Sequence, residues 1–251
     1  MTLDHPRWQP GPILASLSAG VLLFATYLAP GTAGLWHVLD VHAAFALNGL
    51  VAHNHGEQLV WSFGNLRGFD YLVGLAMLGL MVHYVVRAPR GTTPVRAAQA
   101  VVICVLLVGL VSITRNLIFS HVPHDSPSLV LQPFTLLAHT NGLNAKDASH
   151  TSFPGDHATV VATFVYLLWA FAGRRYGWVA LGIAVVACLP RLVAGAHWLT
   201  DDLVGGLGTA LISVPCVVFT PIGPWLVAGL ANMFVRLGGR AGEYASLTPR
   251  R

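Results

Sequence analysis

Charge is scarce in this sequence. Asp, Glu, Lys and Arg make up 10% of its 251 residues, against roughly 25% in an average soluble domain, and that shortfall excludes most soluble folds. Lysine is nearly missing: 13 of the 14 basic residues are arginine, and Lys146 stands alone. There are no charge runs, low-complexity tracts or internal repeats, which excludes disordered and fibrous chains. The net charge of +4 comes from scattered cations, so no nucleic-acid partner is expected. The three cysteines, Cys104, Cys188 and Cys216, lie apart in apolar runs, which suggests neither a disulfide framework nor a thiolate metal site.

What is plentiful is apolar. Hydrophobic residues reach 55% and mean hydropathy is +0.64, which points to an all-α, polytopic membrane protein. Six uncharged stretches can carry spans: 12–29, 71–86, 97–114, 158–173, 176–190 and 203–220. A crossing helix needs about 20 residues, so flanking residues complete the shorter runs. Asp70, Arg115, His157 and Arg191 are therefore expected at or near a membrane surface. The apolar tail to residue 235 passes Pro215, Pro221 and Pro224 and reads as a kinked extension or an interfacial helix. The N-terminal 12 residues lack the pattern of a cleaved signal peptide, so the first apolar run is expected to stay in the membrane. The expectation is one six-helix domain over 1–251, with short tails of about 1–10 and 237–251.

Basic residues in short loops set orientation. With the N-terminus in the cytoplasm, ten of the 14 basic residues fall on that side, and four, Arg67, Arg115, Lys146 and Arg191, fall outside. Eight of the ten acids and ten of the twelve histidines gather on the outer side. Both termini are thus expected inside and the chemistry outside. Residues 30–69 hold an apolar stretch too short to span, read as re-entrant or surface-lying. Residues 115–157 are polar and long, as functional loops often are.

Three pieces meet on that outer face. Ser-Phe-Pro-Gly-Asp-His, residues 152–157, precedes the fourth span. Its Asp156 can cap the helix that follows, and His157 sits at a helix N-terminus that favours an anion. Residues 190–201 hold Arg191, His197 and Asp201. The last two are four apart and share a face on a helix, so Asp201 can hold one imidazole nitrogen and free the other as a nucleophile. The third piece carries Arg115, His121, His124, Ser126, Ser128 and Lys146, which supply donors for phosphate oxygens. His53 with His55, or His121 with His124, lack a matching ligand set at a recognised spacing, so no metal is expected.

These strings resemble the type 2 phosphatidic acid phosphatase (PAP2) superfamily of membrane phosphatases and phosphotransferases. Its Ser-Arg-x5-His-x3-Asp signature is matched by Pro190-Arg191, His197 and Asp201, with Pro for Ser. Its Pro-Ser-Gly-His signature appears as Pro154-Gly155-Asp156-His157, with Gly-Asp in place of Ser-Gly. Its Lys-x6-Arg-Pro signature is not matched: one register places Arg115 and Val122 before Pro123, the other Phe119 and Ser126 before Pro127. Arg115, His124 and Lys146 are the candidates to replace the missing cations. Lys-Asp-Ala-Ser at 146–149, Ser-Pro-Ser at 126–128 and Gly-Ala-His-Trp at 195–198 are similar to the branch that moves phosphate from undecaprenyl diphosphate to lipid A.

The resemblance implies a bundle of six transmembrane helices in a bacterial inner membrane, with a periplasmic active site and lipid substrates. It implies His197 as nucleophile, Asp201 as its support, His157 as general acid and base, and Arg191 on the transferred phosphate. Lys146, Arg115, His124, Ser126, Gly155 and Asp156 are the implied substrate-binding residues. Neither a metal nor a cofactor is implied. The same residues serve a phosphatase with water as acceptor, and the oligomeric state is open.

Overall fold

The structure, a computed structural model, describes residues 8–51, 55–119, 123–140 and 142–246. Helix α1 is Pro10–Leu28 and α2 is Pro30–Asn48. The break between them is written in Pro30, which forces the preceding Ala29 into an extended conformation (φ −72°, ψ 128°). Helix α3 is His55–Phe63, α4 is Arg67–Val86, and α5 is Thr93–Ile113. Helix α5 continues as a π-helical turn, Thr114–Ile118. Two single-turn helices follow, α6 (Pro127–Val130) and α7 (Leu137–Thr140). Then come α8 (Asp156–Ala172) and α9 (Arg174–Val193). A π-helical segment, Asp201–Leu207, runs into α10 (Gly208–Ser213) and α11 (Pro215–Val218). The last helix is α12, Ile222–Ser246.

Five helical stretches are long and apolar enough to cross a membrane, and the sharply bent pair α2 and α3 makes a sixth if it counts as one span. Large apolar side chains such as Leu14, Leu72, Val105, Val108, Trp178 and Val185 are exposed around the bundle, as lipid-facing surfaces require. Among the described residues there is no strand, only a single bridge between His124 and Thr151.

Helix α8 is the centre. Eight of its 17 residues are buried, against two of 19 in α1. Phe164, Leu167 and Leu168 are fully buried and pack with Met77 and Met81 of α4, Ile103 of α5, Ala180 of α9 and Val227 of α12. At 17 residues it is shorter than the other spans. Being walled by protein, it does not have to reach both lipid surfaces by itself. Gly173 alone turns α8 into α9 at φ +85°, a conformation that costs a side-chain-bearing residue dearly.

Flanking residues complete the fifth run: α9 passes through Pro190 to Val193, which carries Arg191 into the last turn. The carbonyl of Pro190 accepts from the Ala194 amide at 3.0 Å and from Asn65 Nδ2 at 2.8 Å, so side-chain and backbone donors hold the turn together beyond the proline. The apolar tail is a separate 25-residue helix. It lies along α5 and contributes Val227 and Ala231 to the main core, so it is neither a simple extension of the sixth span nor a bare surface helix.

Candidate active site

The chemistry-bearing residues converge at one end of the bundle because buried polar side chains tie its connections together. Asp40 of α2 accepts from the Thr200 amide at 2.9 Å and from its hydroxyl at 2.6 Å, fixing the start of the segment that carries Asp201. Asn48 donates to the carbonyls of Thr135 and Val193 and accepts from the Thr135 amide. The carbonyl of Asn65 accepts from the Lys146 amide at 3.2 Å, bringing the lone lysine beside α9. Phe153 locks the Ser-Phe-Pro-Gly-Asp-His turn by stacking on Tyr27 at 5.4 Å and meeting Phe119 edge-on.

These elements enclose a polar cavity of about 290 Å³ whose wall includes Arg115, Lys146, Asp156, His157 and His197. His197 is buried. Its Nδ1 lies 2.9 Å from the Ser152 carbonyl and 3.3 Å from Asp201 Oδ2. Both neighbours only accept, so Nδ1 carries the proton and Nε2 keeps its lone pair. The pairing does not use a helix face. His197 sits in the turn before the π-helical segment, and Asp201 opens that segment. Oδ2 of Asp201 also accepts from the Trp198 amide at 2.8 Å. Burial alone lowers the affinity of His197 for a proton, but the hydrogen bond to Asp201 and the charges of Asp202 and Asp201 outweigh it and hold the imidazole above its ordinary value.

A second imidazole–carboxylate pair faces the first. His157 Nε2 lies 3.1 Å from Asp70 Oδ1. Asp70 also takes two hydrogen bonds from Arg191 Nη2, at 2.8 and 3.0 Å. Asp70 was not among the residues singled out for chemistry. Its sequence signals are a lone acid at the outer end of an apolar span and a loose family likeness over residues 65–70. Arg191 is 2% exposed, and Asn65 takes its other nitrogen at 3.4 Å.

The remaining predicted ligands divide. Lys146 is on the cavity wall. Partial burial pushes its ammonium below the ordinary range and neighbouring Arg191 adds to this, while Asp156 opposes it. Arg115 is also on the wall, and it is ion-paired to Asp156. Asp156 is the first residue of α8 and makes no cap; Gly155 takes that place without a side-chain bond. A Cβ at Gly155 would stand 2.6 Å from Asp202 Oδ1, so a side chain there would have to displace that carboxylate. The Gly155 amide donates to the Asp201 carbonyl at 3.1 Å, which leaves the next amides of α8 to meet an anion. Ser126 is fully buried and its Oγ accepts from the Ser149 amide at 2.9 Å; it fastens the loop and does not line the cavity. His124 is also off the wall, placed against Asp201. His53 and His121 lie outside the described residues, among which no group of three or more possible metal ligands gathers.

Beside the cavity an apolar groove of about 520 Å³ runs along α8, α9 and α10, with Ala158, Leu192, Leu199 and Asp202 on its wall. Three of these directly follow His157, Arg191 and Asp201 in sequence. Polar chemistry and apolar groove therefore share their supporting helices.

A proton-directed imidazole, a second imidazole in the same cavity and cations around them, set in a bundle of lipid-facing helices, fit a membrane enzyme that moves phosphate on lipids. The comparisons agree. The profile described as PAP2 superfamily matches residues 129–222. The lipid A 1-diphosphate synthase of Escherichia coli (strain K12) is 30% identical over 215 residues, 83% of this chain and 87% of that protein. The chain belongs to the PAP2 superfamily and is a multi-pass membrane enzyme of lipid phosphate transfer or hydrolysis. The putative undecaprenyl-diphosphatase YbjG of the same organism is 30% identical over 117 residues, 46% of this chain and 54% of that protein. No solved structure matches.

Proposed function

We propose that this protein transfers the terminal phosphate of undecaprenyl diphosphate to the 1-phosphate of lipid A. The observation that carries the reading is the state of His197: two acceptors fix its Nδ1 proton and leave Nε2 free in the wall of a cavity shared with His157. Likeness to the lipid A 1-diphosphate synthase over most of both chains supports the choice of substrates.

In the first half-reaction Nε2 of His197 attacks the terminal phosphorus, the bond to the bridging oxygen breaks, and a phosphohistidine forms. Asp201 balances the charge on the ring. His157 gives a proton to the leaving lipid phosphate. In the second half-reaction a 1-phosphate oxygen of lipid A attacks the phosphohistidine, His157 takes up any proton it carries, and His197 is restored. Lys146, Arg115, Arg191 and the first amides of α8 stabilise charge on the transferred oxygens. The adjoining groove accommodates hydrocarbon. The ten-to-four division of basic residues supports a single domain in a bacterial inner membrane, with both ends cytoplasmic and the cavity periplasmic.

The likeness to YbjG favours a second reading, hydrolysis of undecaprenyl diphosphate with water as acceptor. Both readings share the first half-reaction. Purified protein given donor labelled in the terminal phosphate, with and without lipid A, separates them. Label on lipid A is the expected result; free phosphate as the sole labelled product in both mixtures establishes the phosphatase and refutes the transferase.

A further inference from the structure

The carboxylate that supports the nucleophile has a second imidazole on its far side. Asp201 is 0% exposed, and its Oδ2 is committed to His197 and to the Trp198 amide. Oδ1 makes no hydrogen bond among the described residues. Facing it is His124, whose Nδ1 lies 3.5 Å away.

Hydrogen balance decides the state of that nitrogen. Ser152 Oγ donates its single proton to the His124 carbonyl at 3.0 Å. The 2.8 Å contact between Ser152 Oγ and His124 Nδ1 therefore requires the proton on Nδ1. The same N–H is the one beside Asp201 Oδ1, and Nε2 is left to the Tyr27 hydroxyl at 3.3 Å. Backbone bonds hold the ring there: the His124 amide donates to the His150 carbonyl at 3.0 Å, and the His124 carbonyl accepts from the Ser152 amide at 2.9 Å. Ser152 thus touches both imidazoles, one through its carbonyl and one through its hydroxyl.

We propose that His124 is a positioning residue whose Nδ1–H, bonded to Ser152 Oγ and 3.5 Å from the outer oxygen of Asp201, sets through its dipole how tightly Asp201 holds the proton of His197. An N–H dipole 3.5 Å from Oδ1 draws carboxylate charge away from His197. His124 lines a second cavity of about 580 Å³, with Tyr27, His37, Asp40, Asp125 and Trp198, which shares no wall residue with the cavity of His157 and His197. The groups that face His124 are Tyr27 from α1, Asp40 from α2, Asp201 from the π-helical segment and Asp125 from its own loop, with Phe153 against the ring. With the His124 N–H beside Asp201, the nucleophile stays neutral to a lower pH than the His197–Asp201 pair allows alone.

This inference rests on His197 as the nucleophile of the proposed reaction, and one measurement is chosen to stand without turnover. The full-length protein, as wild type, His124→Ala, His124→Asn, His124→Gln and Asp201→Asn, is treated with diethyl pyrocarbonate across pH. Modification of His197 is followed by mass spectrometry, next to kcat and KM for undecaprenyl diphosphate. In His124→Ala the acid limb for His197 is expected to move to higher pH, kcat to fall about 10- to 100-fold, the range common for groups that orient a working imidazole, and KM to hold. Asn, which offers an N–H near the Nδ1 position, restores most of kcat; Gln does not. Asp201→Asn moves the limb the opposite way. An unmoved limb in His124→Ala, or equal behaviour of Asn and Gln, overturns the proposal, as does a rise in KM with kcat intact. Where the alanine variant fails to fold, the Asn and Gln pair decides alone. If wild type turns over no lipid diphosphate, the functional reading fails, and the modification profiles still decide whether His124 acts on His197.

Discussion

The two imidazole–carboxylate pairs are built to opposite specifications. His197 and Asp201 are four residues apart and buried, and Asp201 meets no solvent. His157 and Asp70 come from different helices and expose about a third of their side chains, 30% and 32%. Asp70 is also shared with Arg191. The difference matches the tasks proposed for them, His197 as nucleophile and His157 as general acid and base. A nucleophile must present one nitrogen in one tautomer, which burial and fixed acceptors secure. A general acid and base must give up a proton and regain one between half-reactions, which needs contact with water.

Leaving-group chemistry is the sharpest way to break this comparison. In the proposed mechanism His197→Ala removes the bond-forming atom, so kcat should fall by about 10⁶ with every donor, the scale seen when a catalytic unit loses its nucleophile. His157→Ala removes only proton transfer, worth about 10²- to 10⁴-fold, and only when the leaving oxygen needs a proton. With p-nitrophenyl phosphate, whose leaving group departs unprotonated, His157→Ala should recover most of its activity and His197→Ala none. Parallel deficits on the two donors would mean that the histidines do not divide the work in this way.

Asp70 tests the more exposed pair from its other side. Asp70→Asn keeps the shape, loses the charge and releases Arg191 from a doubly bonded partner. We expect kcat to fall about 10- to 100-fold, as loss of a group orienting a working imidazole does, while KM falls because Arg191 becomes free for phosphate. Steady-state kinetics on undecaprenyl diphosphate read both. A rise in KM with kcat unchanged would place Asp70 among the substrate ligands.

Asp70 also marks where sequence reading runs out. His197 and Asp201 were legible because their spacing is local, and the Gly155-Asp156-His157 turn because it abuts a span. The contact of Asp70 with Arg191 joins residues 121 apart, and a lone acid at a span end looks the same whether it anchors a helix or orients a catalyst. His124 was legible as functional but not in its place. Only the pairing of its strand-like segment with residues 150–152 turns it toward Asp201. In the fold, apolar runs located the helices, and only the tail was misread: the docking of α12 on α5 depends on a complementary face that a linear apolar run does not reveal.

The smallest expected effect lies in Lys146, which belongs to neither pair but lines their common cavity. Its ammonium is held below the ordinary lysine range, first by burial and then by Arg191. The charged form is complete at low pH and is lost as pH rises through that lowered value. Attraction for the diphosphate is lost with it, so KM should climb on the alkaline side while kcat changes little. In Lys146→Met KM should be raised severalfold at neutral pH and the alkaline climb should vanish. In Lys146→Arg the climb should move to higher pH, because guanidinium keeps its charge there. An alkaline climb that survives in Lys146→Met would assign that titration to another group and leave Lys146 as a contributor of shape alone.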